Sequence, residues 1–106
     1  MQENPRGQLD LLLLAVLRSR PMHGYAVVAV LAERSGGMCR FPEGTVYPAL
    51  QALERKGLVA SEWERVDGRR RRVYRLTRAG LAALVKKAEN WKRLTRGIGT
   101  VLAWQE

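Results

Sequence analysis

Cysteine, histidine, aromatics and acidic residues are all scarce in this sequence, and each shortage closes off a class of protein. The 106 residues include one cysteine and one histidine. Cys39 alone can form neither an internal disulfide nor a thiolate metal cluster, so a reducing cytoplasm is the expected compartment. Met38, Cys39 and His23 are spaced too loosely to define a soft-metal site, and Cys39 without a neighbouring base reads as an inert thiol. No metal and no cofactor are expected. The apolar run Leu11–Leu17 falls far short of the about 20 residues that span a membrane. Asp10 precedes it and no small-residue cleavage site follows, so neither a membrane segment nor a signal peptide is expected. There is no Ser-His-Asp set, no carboxylate pair at glycosidase spacing, no phosphate loop and no dinucleotide fingerprint. Gly36-Gly37 closes a helical stretch and does not lead into one, so it is no phosphate cradle. Catalysis is not expected.

Charge is what the sequence does have. Nineteen Lys+Arg against 10 Asp+Glu give a net charge of +9, which points to a polyanionic partner. Most of the basic residues are arginines, the type that pairs bidentately with phosphate and fits narrow minor grooves. Arg65, Arg69, Arg70, Arg71, Arg72, Arg75 and Arg78 fall within one short stretch that holds a single acid, Asp67. Four of them are consecutive and follow a turn signal, which favours nucleic-acid binding over a merely solvated surface. With 46% apolar residues the chain is globular, and its length suits a single domain.

The pattern predicts four helices and a hairpin. Gln8–Arg20 is apolar almost all round, as a helix buried by others should be, and Pro21 stops it. A second helix runs from about His23 to Arg34, ended by Ser35-Gly36-Gly37, and Met38–Pro42 is a loop. A third spans about Glu43 to Lys56, with Glu43 at the positive end of the dipole and Gly57 as C-terminal cap. From there the period changes to two. Val59–Val66 and Arg69–Leu76 flank Asp67-Gly68, the signature of a two-residue type I′ turn. That register sets Val59 opposite Leu76, Ser61 opposite Tyr74 and Trp63 opposite Arg72, so Val59, Trp63, Tyr74 and Leu76 form a core-facing side. On the other side Glu64 faces Arg71 and Glu62 lies diagonal to Arg71 and Arg75, leaving Arg65, Arg69, Arg70 and Arg72 without acidic partners.

The last helix starts at the N-cap Thr77 and runs from Arg78 towards Trp104. Steps of three and four select Leu81, Leu84, Ala88, Trp91, Thr95, Ile98 and Leu102, a heptad-like seam. A helix of roughly 40 Å is longer than the rest of so small a domain is wide, so the seam is expected to form a dimer interface. Gly97 and Gly99 each weaken it by about 1 kcal/mol. Two chains bring Trp91 close to its symmetry mate beside the small Ala88 and Thr95, with space left next to the two indoles.

The fold class is therefore mainly α with a small β-hairpin: a winged helix-turn-helix over residues 8–77 and a C-terminal dimerisation helix over 78–104. In the third helix Val46, Leu50, Leu53 and Gly57 point to the core, while Gly44, Pro48, Gln51 and Arg55 face outward with Thr45 and Tyr47 on the flanks. Gly44 and Pro48 leave a smooth surface for a groove. Thr45, Tyr47 and Gln51 are the polar groups placed to touch base edges or phosphates, and Gln51 can bond adenine bidentately. The DNA-contact set is Thr45, Tyr47, Pro48, Gln51, Arg55, Arg65, Arg69, Arg70, Arg71 and Arg72.

Four motifs carry a family likeness: His23-Gly24-Tyr25, Gly44-Thr45-Val46-Tyr47-Pro48-Ala49-Leu50, Leu53-Glu54-Arg55-Lys56-Gly57-Leu58-Val59 and Arg72-Val73-Tyr74-Arg75-Leu76-Thr77-Arg78-Ala79-Gly80. In this order and spacing they resemble the PadR family of transcriptional regulators, over about Leu11 to Leu84. The single C-terminal helix is similar to the smaller PadR subfamily. The resemblance implies a homodimeric, DNA-binding repressor, often autoregulatory and released by a small molecule, and makes the interface beside Trp91 a candidate site for a small planar apolar effector. The dimer's symmetry in turn implies a two-fold operator in double-stranded DNA. An alternative from the residues alone is a ligand-independent architectural or RNA-binding protein that uses the basic hairpin.

Overall fold

The computed structural model describes residues 8–105. In chain order they form α1 (Leu9–Ser19), β1 (Met22–His23), α2 (Gly24–Arg34), α3 (Glu43–Arg55), β2 (Val59–Val66), β3 (Arg69–Leu76) and α4 (Arg78–Ala103). Each helix ends where its sequence says it should. The His23 ring nitrogen Nδ1 accepts from the Ala26 backbone N–H and caps α2, and the Thr77 hydroxyl does the same for Gly80 at the start of α4. Gly57, at φ +76°, turns the chain out of α3.

The core is where the helices meet. Leu13 and Leu14 of α1, Val27 of α2 and Val46, Leu50 and Leu53 of α3 are fully buried, joined by Val59 and Tyr74 from the root of the hairpin. Asp67 and Gly68 both have positive φ, the backbone of a type I′ turn. Their turn sets the expected register, with Val59 opposite Leu76, Ser61 opposite Tyr74 and Trp63 opposite Arg72. The sheet has a third strand that the sequence pattern did not reveal. β1 pairs antiparallel with β3, Met22 opposite Tyr74 and His23 opposite Val73, so β3 lies in the middle of the order β1-β3-β2. Being central explains why Val73 and Tyr74, adjacent and pointing to opposite faces, are both buried.

Two expectations are corrected. Trp63 is not a core residue: it is half-exposed, because the hairpin extends past the edge of the helical layer by the time it reaches that position. Leu84, placed in the dimer seam, is buried in the core of its own chain. The first turns of α4 lie against the body. Gly80 passes so close to the Leu58 carbonyl that a Cβ would stand 1.9 Å from its oxygen. Beyond Leu84 the helix becomes largely exposed, passes the start of α1 at Lys87 to Leu94, and continues without a break through Gly97 and Gly99 to Ala103. The molecule is consequently elongated, 61 × 27 × 22 Å.

Candidate nucleic-acid interface

Three elements present their polar groups on one side: the N-terminus of α2, the outer face of α3 and the hairpin. Val46, Leu50 and Leu53 anchor α3, which leaves Gly44, Pro48, Gln51 and Arg55 exposed and Thr45 and Tyr47 half-buried on its flanks. Pro48 sits inside the helix, where it has no N–H to return to the Gly44 carbonyl. The Tyr47 ring lies against Gly24. A Cβ there would stand 2.2 Å from Tyr47 Cε1, so only glycine lets α2 and α3 approach this closely. Burial, with help from the Glu43 carboxylate, pushes the Tyr47 hydroxyl above its ordinary range against the opposing pull of Arg71. It is therefore a neutral hydroxyl at physiological pH, able to donate or accept.

The hairpin arginines divide into two groups. At the tip, Arg65, Arg69 and Arg70 are exposed, and Arg65 Nη1 donates to the Gly68 carbonyl at 3.0 Å across the turn. Nearer the root the arginines are occupied by protein. Arg71 was expected to face Glu64, and the two are opposite in register, but its guanidinium lies 5.9 Å from the ring centroid of Tyr25. Arg72, expected to lack a partner, is held on several sides. Its Nε donates to Ser61 Oγ at 2.7 Å, its Nη2 is 3.8 Å from Glu54 Oε2, and its plane lies 5.5 Å from the Trp63 centroid. Arg70 stacks on the same indole at 5.0 Å. Arg75 is hydrogen-bonded to Glu62, as the diagonal placement predicted.

Trp63, Tyr25, Ser61 and Glu54 were thus missing from the sequence-derived site. Trp63 and Arg72 are directly opposite in a register that the turn specified, so that contact was within reach of pattern reading. The Glu54 contact was not, because it depends on how α3 crosses the sheet. His23 stacks on Tyr25 with ring centroids 6.3 Å apart. Burial holds its imidazole below the usual histidine pKa, Arg71 and Arg20 reinforce the shift, and Asp67 opposes it. Cys39 is half-buried, its backbone N–H donating to Ser35 Oγ at 2.8 Å, and Met38 is exposed.

Along α4 the expected seam is mostly solvent-facing. Leu81, Trp91, Ile98 and Leu102 are exposed, and Val85, Leu94 and Val101 add to the apolar surface. Trp91 and Leu94, with Lys87 and Asn90, border a concavity closed on its other side by Gln8, Asp10 and Leu11 near the start of α1. Among the described residues no helix is long and apolar enough to cross a membrane.

Known proteins share this fold. The model of the transcriptional regulator PadR-like family matches residues 13–86. Transcriptional regulator Rv3488 of Mycobacterium tuberculosis is 38% identical over 98 residues, covering 92% of this chain and 89% of that protein. A PadR family transcriptional regulator from Eggerthella lenta superimposes with a TM-score of 0.83 at 37% identity, over 94% of this chain and 86% of that one. Bacillus subtilis PadR, solved in complex with operator DNA, shares the fold with a TM-score of 0.66 at 23% identity, over 74% of this chain and 45% of its own. These relatives are regulators, not enzymes. Four motifs in order, a hairpin wing beside a half-exposed third helix and a family match over most of the sequence lead to one assignment: the chain belongs to the PadR-like family of transcriptional regulators.

Proposed function

We propose that this protein is a homodimeric, sequence-specific repressor that binds a two-fold operator in double-stranded DNA and is released by a small planar apolar ligand. The observation that carries the DNA-binding reading is the adjacency of two unlike surfaces. A smooth helix face with few polar groups stands beside a hairpin tip bearing Arg65, Arg69 and Arg70, the two tied together through Glu54, Ser61 and Arg72. In this reading α3 enters the major groove, where Gln51 reads adenine and Thr45, Tyr47 and Arg55 touch bases or phosphates. The arginine-rich wing follows the backbone and senses groove width. The complex of Bacillus subtilis PadR with operator DNA supports that use of the fold.

The exposed apolar strip of α4 supports the dimer, since so much unpartnered apolar surface on so small a chain calls for a mate. Two-fold pairing sets the recognition helices in successive major grooves, about 34 Å apart. The concavity beside Trp91 supports an effector site there, and repression follows the family likeness. Selection of bound sequences from random duplex DNA tests the reading. A two-fold consensus preferred by at least about 10³ over random duplex at physiological salt is the expected result. Equal binding to any duplex, or tighter binding to RNA, would instead favour an architectural or RNA-binding role.

A further inference from the structure

We infer that Arg72 is a positioning residue and not a phosphate contact: with Ser61 and Glu54 it sets the angle between the wing and α3. The inference rests on the DNA-binding reading above and assigns different work to two neighbouring arginines. Ser61 Oγ donates to Glu54 Oε2 at 2.7 Å and accepts from Arg72 Nε at 2.7 Å, while Arg72 Nη2 stands 3.8 Å from the same carboxylate oxygen. Among the described residues these are the only side-chain hydrogen bonds or ion pairs that join α3 to the hairpin. Without them the two elements would be joined only at the hairpin root, by the turn at 56–58 with its backbone hydrogen bonds and by apolar contacts, which are non-directional and hold the angle further out poorly.

Trp63 passes the arrangement towards the tip. Arg72 covers the indole at 5.5 Å and Arg70 covers it at 5.0 Å, so the residue fixed to α3 and the arginine nearer the turn share one aromatic platform. Arg72 has its charge opposed by Glu54, a donor spent on Ser61 and a face occupied by Trp63. A phosphate would meet only its remaining donors, in competition with the Glu54 carboxylate. Arg70 has no acidic partner among the described residues and remains exposed.

A bare-charge view and this inference disagree on sign. If Arg72 touched phosphate, Glu54 would be a nearby acid competing for it. Removing Glu54 would then tighten binding, and removing Arg72 would lower the slope of log affinity against log salt by about 0.9. If Arg72 positions the wing, Glu54→Ala and Arg72→Ala each weaken binding to the selected duplex. A loss of about tenfold apiece is expected, with the double variant no worse than either single because both break one network. The salt slope stays at the wild-type value, and Glu54→Gln, which keeps an acceptor for Ser61, falls between.

Binding is read by anisotropy of the labelled, enriched duplex across a salt series, with far-ultraviolet circular dichroism confirming the fold. If Glu54→Ala fails to fold, Ser61→Ala removes the central hydroxyl and carries the same expectations. An Arg69→Ala, Arg70→Ala variant is the control, expected to lose about 1.8 in slope for two phosphates. A slope unchanged in that control would overturn the wing's role in DNA binding and this inference with it. A control that behaves as expected, beside an Arg72→Ala variant that also loses about 0.9 or a Glu54→Ala variant that binds tighter, would overturn the inference alone.

Discussion

At Gly80 a methyl group would stand 1.9 Å from the Leu58 carbonyl oxygen, whereas at Gly44 it would meet nothing within 4 Å. The same substitution should therefore act in opposite directions. Gly80→Ala must push α4 off the turn after α3 and should cost about 1–3 kcal/mol, seen as a lowered melting temperature. Gly44→Ala lies in an exposed helical turn and should gain up to about 1 kcal/mol, because alanine loses less backbone freedom. It nevertheless adds bulk to the smooth surface offered to the groove, so DNA affinity should fall while stability rises. A Gly44→Ala variant that binds as tightly as wild type would move the contact surface elsewhere on α3. His23 offers a pH test at the same scale. Its Nδ1 must be unprotonated to cap α2, and burial beside Arg71 holds its pKa below 6.5 in the fold. The unfolded chain then binds the proton more readily, so this contribution to stability is complete above about pH 6.5 and declines as pH falls towards the folded value. Urea midpoints at successive pH values should show that decline in wild type and not in His23→Asn, which keeps a cap without titrating. Identical profiles would remove His23 as its source.

Four arginines in a row form one feature of the sequence, but two alternating faces of a strand, and the hairpin treats them differently. Replacing Arg69, Arg70, Arg71 and Arg72 together with alanine should weaken binding to every duplex. The salt slope should fall by about 1.8, the share of the two tip residues, where four phosphate contacts would take away about 3.6. An unchanged slope would dismiss the wing as a backbone contact. Much at this scale was legible in the sequence. Asp67-Gly68 specified the turn, the turn specified the register, and the steps between Val46, Leu50 and Leu53 marked the buried face of α3. What escaped depends on contacts distant in sequence. β1 is two residues long, too short to show a period, and exists only because β3 offers an edge at Val73 and Tyr74. Trp63 shares the parity of buried Tyr74, yet parity cannot tell where along a strand the core stops. Arg72 looked unpaired because its acid, Glu54, lies on another element.

At the scale of the whole molecule, the body packs against the first turns of α4, while among the described residues most of the apolar surface further along stays uncovered. Past Leu84 the apolar side chains of Trp91, Leu94, Ile98, Val101 and Leu102 face outward along a helix of roughly 39 Å. A second copy would cover them, so light scattering should give a dimer at micromolar concentration, and deletion of residues 88–106 should give a monomer or an aggregate. A monomeric intact chain would refute the interface. The place of Trp91 within that dimer leads to the remaining prediction. In a single chain it is 46% exposed and borders the concavity closed by Gln8, Asp10 and Leu11, so its burial there is incomplete. Were it a packing residue of the dimer, Trp91→Ala would leave a cavity and cost about 3–5 kcal/mol. As the wall of an effector site it can be removed at much smaller cost, leaving a dimer that still binds DNA but no longer responds to planar aromatic compounds. Titrating wild type with such a dye should quench indole emission, and the variant should keep the emission of Trp63 and Trp104 unquenched. Absence of quenching up to about 1 mM dye, equivalent to roughly 4 kcal/mol of binding, together with a destabilised variant would return Trp91 to the dimer core.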